Sequence, residues 1–230
     1  MSHNASDQLV EITLADITFI QQLKQSESSC IFQVSVHGKI CVMKVYHAIE
    51  RSHADPPGRE IDIFLCESNA YRRLKMKGLC QRGVIPDFYG VIENIDPTLG
   101  QPHLDPFLKD KLRPNAVLIE YIPNIRQIDL STFSETRIAR LRAILDEIHQ
   151  AWVYHGDPYL RNMMVQEDSD RVMWIDFDRA QILSENGPTP RQQQWMKEED
   201  EMMDYFVEAL TADYKVGIIS RTWPYYYEYV

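Results

Sequence analysis

The sequence predicts an α+β fold in which β-rich segments precede mainly helical ones. Runs of apolar and β-branched residues predict a hairpin and two further strands in the first part of the chain, and apolar residues at helical spacing predict three helices. A chain of 230 residues with 44% hydrophobic content is long enough to bury cores of this size.

The predicted strands begin with a hairpin. Apolar and polar residues alternate over 31–36, His37-Gly38 offers a turn, and a β-rich run resumes over 40–46. Runs at 84–92 and 116–122 predict two more strands. The loop between these two carries four prolines, and we expect it to be a surface insertion.

Turn and capping residues mark the ends of the predicted helices. The first covers 60–77, after an Asp-Pro-Pro-Gly turn and before Gly78. The second covers 134–149, where Ser134 can cap the N-terminus. The third covers 193–214, where apolar residues share one face opposite many acids. All three therefore have an amphipathic pattern.

Charge and composition exclude several function classes. A formal net charge of -10 argues against general nucleic-acid binding or an anionic-membrane surface. We find no signal sequence and no apolar run of about 18 residues, so we expect no membrane association and a cytoplasmic location. The four cysteines lack paired CxxC spacing, and we expect reduced thiols.

The segment 155–162 carries the first chemical motif. It places a carboxylate, Asp157, five positions before an amide, Asn162, in a loop between a predicted helix and a predicted strand. An Asp in such a loop can orient or deprotonate a hydroxyl, and an Asn can bind a cation beside a phosphate. By itself this pattern is equally typical of an ordinary Asp-Pro turn.

A second acid follows at a suitable distance. Short strands are predicted over 162–166 and 171–175, joined by a polar turn, so that Asp176 is presented at a strand end. One hairpin would return Asp176 to the vicinity of Asn162. A carboxylate there could bind Mg²⁺ that bridges phosphates.

The two motifs together resemble the HxDxxxxN catalytic loop and the DFG metal loop of the protein-kinase-like superfamily. The HGD sequence is closer to aminoglycoside and choline-kinase-like phosphotransferases than to ordinary protein kinases, and the short lobes resemble small atypical kinases, including the compact kinase of the KEOPS complex and fungal-type kinase-like proteins. The resemblance implies a two-lobed kinase-like fold that uses ATP and Mg²⁺. It places a β-rich N-terminal lobe at residues 1–122 and a reduced, mainly helical C-terminal lobe at 123–230. It assigns Asp157 as the base, Asn162 and Asp176 as metal ligands, and Arg161 as a cation for the transferring phosphate.

The resemblance extends upstream of these loops. Lys44 resembles the strand lysine that contacts nucleotide phosphates, and Glu67 resembles its ion-pair partner on the following helix. Glu60 is an alternative partner, but Glu67 is preferred because it is mid-helix on a face that we expect to be inward. The end of the last N-lobe strand resembles the hinge between lobes, where the backbone at Glu120 and Ile122 would bind the adenine edge.

The sequence departs from the kinase pattern at three places, and these departures narrow the expected function. Residues 25–32, where a nucleotide-covering loop is expected, lack the glycines of GxGxxG. Asp178 replaces the glycine of DFG and could bind a second cation or cap the next turn. About fifteen residues separate Asp178 from the final helix, with no APE motif, so a peptide-docking groove is not expected.

We therefore expect phosphoryl transfer from ATP to a hydroxyl of a small molecule. Two alternatives stay open: a pseudokinase or regulatory nucleotide-binding subunit with a protein partner, and an ATPase or another enzyme on a kinase-like fold. We interpret the acidic run 198–201 as a solvated helix face. The tyrosines at 225, 226, 227 and 229 are interpreted as packing residues rather than a modified tail.

Overall fold

The computed structural model describes residues 12–227 and has an α+β fold. The chain forms two compact units. Within the described residues, the first comprises 12–50 together with Tyr89–Glu120, and the second comprises Arg51–Phe88 together with 121–227. The lobes predicted at 1–122 and 123–230 stay a proposal about functional organisation.

A five-stranded sheet dominates the first unit, with strand order β1-β2-β3-β5-β4. The predicted hairpin is confirmed as β2 and β3, which pair antiparallel so that Val36 lies opposite Lys39. His37 and Gly38 both have positive φ, as the two central residues of a tight hairpin turn with the twist of the strands require. The strands are β1 (Ile17–Gln25), β2 (Ser29–Val36), β3 (Lys39–Tyr46), β4 (Phe88–Ile92) and β5 (Asn115–Glu120).

Three features of this unit differ from the prediction. Strand β1 was not predicted, because it is largely exposed and two register irregularities interrupt its pairing with β2. The strand expected over 84–92 begins only at Phe88, after Pro86, which cannot donate to a sheet ladder. The proline-rich segment is not only a surface insertion, because Leu104 and Phe107 are buried in the core of this unit.

The second unit contains the helices, listed as α1 (Ile63–Met76), α2 (Glu135–Gln150), α3 (Pro190–Val216) and α4 (Trp223–Tyr227). Ser134 caps α2 as predicted, since its Oγ accepts a hydrogen bond from the Arg137 amide at 3.1 Å. The first helix starts three residues later than predicted, because the Asp62 carboxylate caps it and accepts hydrogen bonds from the next turn. The third starts three residues earlier, where Thr189 and Gln192 form a capping box.

Two small sheets hold the loops of this unit. One has the order β6-β8-β9 and the other pairs β7 with β10. The predicted hairpin after Asn162 is confirmed as β8 and β9, which are antiparallel. The 155–162 loop joins β7 to β8, and Asp176 follows β9 closely. The strands are β6 (Ile125–Gln127), β7 (Val153–Tyr154), β8 (Met163–Gln166), β9 (Val172–Trp174) and β10 (Gln181–Ile182).

The tyrosine-rich end of the described chain packs on this unit, as predicted. The Tyr225 ring lies 4.8 Å from the Phe206 ring in a T-shaped arrangement, and the Tyr226 hydroxyl donates to the Ile128 carbonyl at 2.7 Å. Tyr229 lies outside the described residues. Among residues 12–227, no helix is long and apolar enough to cross a bilayer.

Candidate active site

Asp157 lies at the centre of the 155–162 loop, where two neighbours hold its carboxylate. The Asn162 side-chain amide donates to Oδ2 at 2.7 Å and to the Asp157 carbonyl at 2.9 Å. The Arg161 guanidinium donates to Oδ1 at 2.7 Å. The Asp157 side chain is 14% exposed. Three predicted site residues therefore meet in one loop, with the carboxylate fixed in orientation.

A second cluster brings together three carboxylates. One oxygen from each of Glu67, Asp176 and Asp178 lies within 4.8 Å of the others. Glu67 is almost completely buried on α1, as the prediction of an inward face requires. Asp176 adopts a φ of +65°, a left-handed conformation that aspartate tolerates better than most residues. Like charges this close favour either a proton or a bound cation.

The donor set of this cluster suits Mg²⁺. Carboxylate oxygens are the hard ligands that this ion prefers. Because Asn162 binds Asp157 through its amide nitrogen, its amide oxygen is the group with which it would bind a cation. The Ile175 amide donates to the Asn162 carbonyl at 3.0 Å, so the backbone joins the segment before Asp176 to the catalytic loop.

His155 strengthens the connection between the two loops. Its Nε2 lies 3.2 Å from the Ile175 carbonyl, and its Nδ1 accepts from the Asp157 amide at 3.3 Å, which fits the neutral tautomer with the proton on Nε2. Burial lowers the pKa of His155, against the opposing influence of nearby carboxylates such as Glu199. Its ring also packs against Trp174 and Phe177. A neutral His155 thus bonds to both loops.

The remaining predicted site residues occupy defined positions within their own units. Lys44 lies on β3 between Ile31 and Val117, and only 6% of it is exposed. Glu120 is the last residue of β5 in the first unit, and Ile122 is a buried residue of the second. Their nucleotide-binding roles and the pairing of Lys44 with Glu67 stay predictions.

Glu60, the alternative partner for Lys44, has other bonds. Its carboxylate forms an ion pair with Arg51 and accepts hydrogen bonds from the Ile61 and Asp62 amides, each at 3.0 Å. It precedes the N-cap of α1 rather than beginning the helix. The choice between Glu67 and Glu60 as the partner of Lys44 stays a prediction.

The segment expected to cover a nucleotide is a short serine turn. Residues 26–28 connect β1 to β2, and half of the predicted 25–32 segment, residues 29–32, belongs to β2. The Ser26 hydroxyl accepts hydrogen bonds from the Ser28 amide at 3.3 Å and the Ser29 amide at 3.1 Å. The turn therefore satisfies its own amides with a side chain, where a glycine-rich loop would direct amides at phosphate.

Glu199 is the main residue that the sequence interpretation missed. It was assigned to a solvated acidic face, but only 2% of it is exposed. Its carboxylate accepts hydrogen bonds from the Gly156 amide at 2.6 Å and the His155 amide at 3.2 Å, and it lies 2.8 Å from His149 Nε2. The assignment of a solvated face is therefore wrong for Glu199, which anchors the start of the 155–162 loop.

One sequence signal could have identified this acid. Glu199 stands four, seven and eleven positions before Met203, Phe206 and Leu210, three buried residues of α3. That spacing extends the apolar stripe of the helix by one turn, with a carboxylate at its N-terminal end. An acid on a buried stripe requires a polar partner. The partner amides come from a loop more than forty residues away and carry no sequence signal.

We expect Glu199→Gln to destabilise the protein and to slow any reaction at Asp157. The side-chain amide of glutamine places an NH₂ group where one carboxylate oxygen accepts a hydrogen bond. That NH₂ group and the backbone amide it faces are both donors, so both are left buried without an acceptor. The free energy of unfolding should fall by about 2 kcal/mol, measured by urea denaturation. Glu198→Gln, at an exposed neighbour, is the matched control. Equal stability of the two variants would show that Glu199 does not anchor the loop.

A comparison with protein-family models matches the part of the chain that contains the 155–162 loop and Asp176. Residues 109–198, about two-fifths of the chain, match the model of the lipopolysaccharide kinase (Kdo/WaaP) family. The matched interval contains both the catalytic loop and the Asp176 loop. A comparison with curated proteins gave no significant match. Together with the α+β fold, the family match confirms that this chain resembles the kinase-like, atypical phosphotransferases.

Proposed function

We propose that this protein is an ATP- and Mg²⁺-dependent phosphotransferase that acts on a hydroxyl group of a small molecule. The observation that carries the proposal is the pair of clusters joined by the hydrogen bond between Ile175 and Asn162. One cluster presents an oriented carboxylate, and the other presents three acids within reach of one ion. Phosphoryl transfer requires little beyond such positioning and charge neutralisation.

Each residue has a distinct role in this proposal. Asp157 accepts the proton of the acceptor hydroxyl. The hydroxyl oxygen then bonds to the terminal phosphorus of ATP, and the bond between that phosphorus and ADP breaks. Arg161, which now binds Asp157, lies within the same loop and supplies positive charge for the transferring group. Lys44 would contact the nucleotide phosphates, and the backbone at Glu120 and Ile122 would bind adenine.

The acid cluster would hold the cation. Asp176 and Asp178, with Asn162 and Glu67, are the residues that would contact Mg²⁺. When bound, Mg²⁺ would neutralise charge on the phosphates. In this arrangement Asp178, which replaces the glycine of DFG, contributes a ligand rather than a flexible hinge.

The family match and the charge support a proposal about the acceptor class. The matched family is named for lipopolysaccharide kinases, so we propose a sugar hydroxyl as the first acceptor to test. The net charge of -10 disfavours nucleic acid as a general partner. We propose a cytoplasmic location, where ATP is available.

Two observations favour a second candidate, a nucleotide-binding pseudokinase. Both oxygens of the Asp157 carboxylate are already bonded, to Arg161 and Asn162, and the serine turn lacks the glycines of a phosphate-covering loop. A regulatory subunit needs nucleotide binding without turnover. Nucleotide binding with no phosphorylated product across a panel of sugar and other hydroxyl acceptors would support this candidate.

Titration with ATP in the presence and absence of Mg²⁺ tests the metal assignment. We expect Asp176→Asn to weaken Mg²⁺-dependent ATP binding by at least the roughly 10-fold that loss of a supporting residue costs at metal sites. Asp170→Asn is the matched control, because this fully exposed acid lies in the turn between β8 and β9. If the native protein binds neither ATP nor Mg²⁺, the proposed function is wrong.

A further inference from the structure

One carboxylate makes four hydrogen bonds to the segment that follows α3. We call residues 218–227 the aromatic strap. Asp213, near the end of α3, accepts four hydrogen bonds from the strap, and both Asp213 and Thr222 are buried. The donors are the Ser220 hydroxyl at 2.9 Å, the Arg221 amide at 3.0 Å, the Thr222 amide at 2.9 Å and the Thr222 hydroxyl at 2.8 Å. This set fixes the path of the chain immediately before α4.

The charge of Asp213 keeps this anchor in place. Burial of the carboxyl raises its pKa, but the amides of Arg221 and Thr222 and the two hydroxyls outweigh burial and lower the pKa of Asp213 to about 2. The carboxylate is therefore ionised at neutral pH. The stability that it supplies is present above the ordinary pKa of 3.8 and is lost as the pH falls through about 2.

The anchored strap places Tyr225 against the catalytic loop. Its ring contacts two aromatic residues of α3, with centroids 4.8 Å from Phe206 and 5.9 Å from Tyr205. On another side it lies 5.9 Å from the ring of Tyr159. The Tyr205 hydroxyl donates to the Arg221 carbonyl at 3.0 Å, so α3 holds the strap at two points.

Tyr159 transmits this contact to the proposed catalytic group. It stands two residues after Asp157, and the Arg161 guanidinium lies over its ring, 4.7 Å from the centroid. Arg161 in turn donates to Asp157 at 2.7 Å. A cation over an aromatic face is held by electrostatic attraction, which weakens if the ring moves. Contacts thus run without a break from Tyr225 through Tyr159 and Arg161 to Asp157.

We propose that the aromatic strap is a positioning element for phosphoryl transfer and that Tyr225 is its principal positioning residue. The inference rests on the proposed function, because it assigns the strap to the orientation of Asp157 and Arg161. The strap lies beyond the 109–198 interval that matches the family model, so the match does not cover it. Tyr225 acts through Tyr159, and a small displacement of a catalytic group can reduce turnover by about 100-fold.

Substitutions at Tyr225 test this role. We expect Tyr225→Ala to lower kcat by about 10-fold to 100-fold without changing the KM for ATP, because Tyr225 acts on the loop that orients the reacting groups. Tyr225→Phe keeps the ring and should restore native kcat. Tyr214→Ala is the matched control: this half-exposed tyrosine on α3 packs against Phe133. Native kcat in Tyr225→Ala would overturn the proposal.

Hydrogen exchange tests the strap without relying on turnover. In the native protein and in Tyr214→Ala, the amides of 155–162 should exchange at the same rate, whereas Tyr225→Ala should accelerate them. Asp213→Asn, which removes the charge of the anchor, should accelerate exchange in both 218–227 and 155–162. Faster exchange confined to 218–227 in both variants would show that the strap packs without positioning the loop.

These two readouts separate failure of the strap from failure of the proposed function. If the native chain binds ATP but transfers no phosphoryl group, the proposed function is wrong, and exchange in the 155–162 loop still decides whether the strap orders it. If the native chain turns over and Tyr225→Ala matches Tyr214→Ala in both measurements, the strap proposal alone is wrong.

Discussion

Replacing Asp157 with Asn should reduce phosphoryl transfer by about 10²-fold to 10⁴-fold, the range that a positioned acid–base group supplies. The replacement keeps the size of the side chain and leaves an oxygen to accept from Asn162, but it removes the group that takes the hydroxyl proton. It also breaks the ion pair with Arg161. Mg²⁺-dependent ATP binding should be retained, because Asp157 is outside the acid cluster.

Transfer of labelled phosphate to a sugar acceptor, measured under saturating ATP, checks this result. Asp146→Asn provides the control, since Asp146 is a half-exposed acid on α2 that pairs with Arg142 away from the loop. Unchanged transfer or ATP hydrolysis in Asp157→Asn would refute the role of Asp157 as base. Unchanged ATP hydrolysis with no transfer to the acceptor would favour a different reaction on this fold.

The largest effect on stability is expected from Gly156→Ala. Gly156 has a φ of +83°, and a Cβ atom there would lie 2.2 Å from the Arg179 carbonyl oxygen and 2.7 Å from its carbon. Both atoms are backbone, so the catalytic loop or the chain after Asp178 must move. The same movement would disturb the 2.6 Å hydrogen bond from the Gly156 amide to Glu199. We expect the free energy of unfolding to fall by about 3 kcal/mol or more, from overpacking added to left-handed strain.

Gly217→Ala separates these two contributions. Gly217 also has a positive φ, +76°, but no atom lies within 4 Å of the position of its Cβ. This control should therefore cost only the left-handed penalty, about 1 kcal/mol. Urea denaturation of both variants measures the difference. Equal losses would show that the close approach of Arg179 to Gly156 is relieved cheaply.

The parts of the fold predicted from sequence are those with local signals. The β2–β3 hairpin has a two-residue turn at His37-Gly38, and α2 has both a serine cap and an apolar stripe. The loops containing Asp157 and Asp176 were predicted because the spacing of their polar residues permits one hairpin between them. Each of these signals is contained within about twenty residues.

The parts that were missed depend on contacts between distant segments. Glu199 is indistinguishable in sequence from its acidic neighbours, and its role appears only when α3 packs beside Gly156. Strand β1 alternates poorly because most of its side chains are exposed on both faces. The proximity of Glu67 to Asp176 and Asp178 could be expected only from a resemblance, since a helix and a loop separated by over one hundred residues share no local pattern.

The packing of His155 also gives the site a built-in optical reporter. The indole of Trp174 is fully buried, donates to the Leu141 carbonyl at 2.9 Å, and lies 5.0 Å from the His155 ring. In a variant with phenylalanine in place of the other three tryptophans, all tryptophan fluorescence would come from Trp174. Its indole lies beside His155, which bonds to the Asp157 loop and to the segment before Asp176. Its emission would then register rearrangement of either loop when nucleotide or cation is added, without any attached dye.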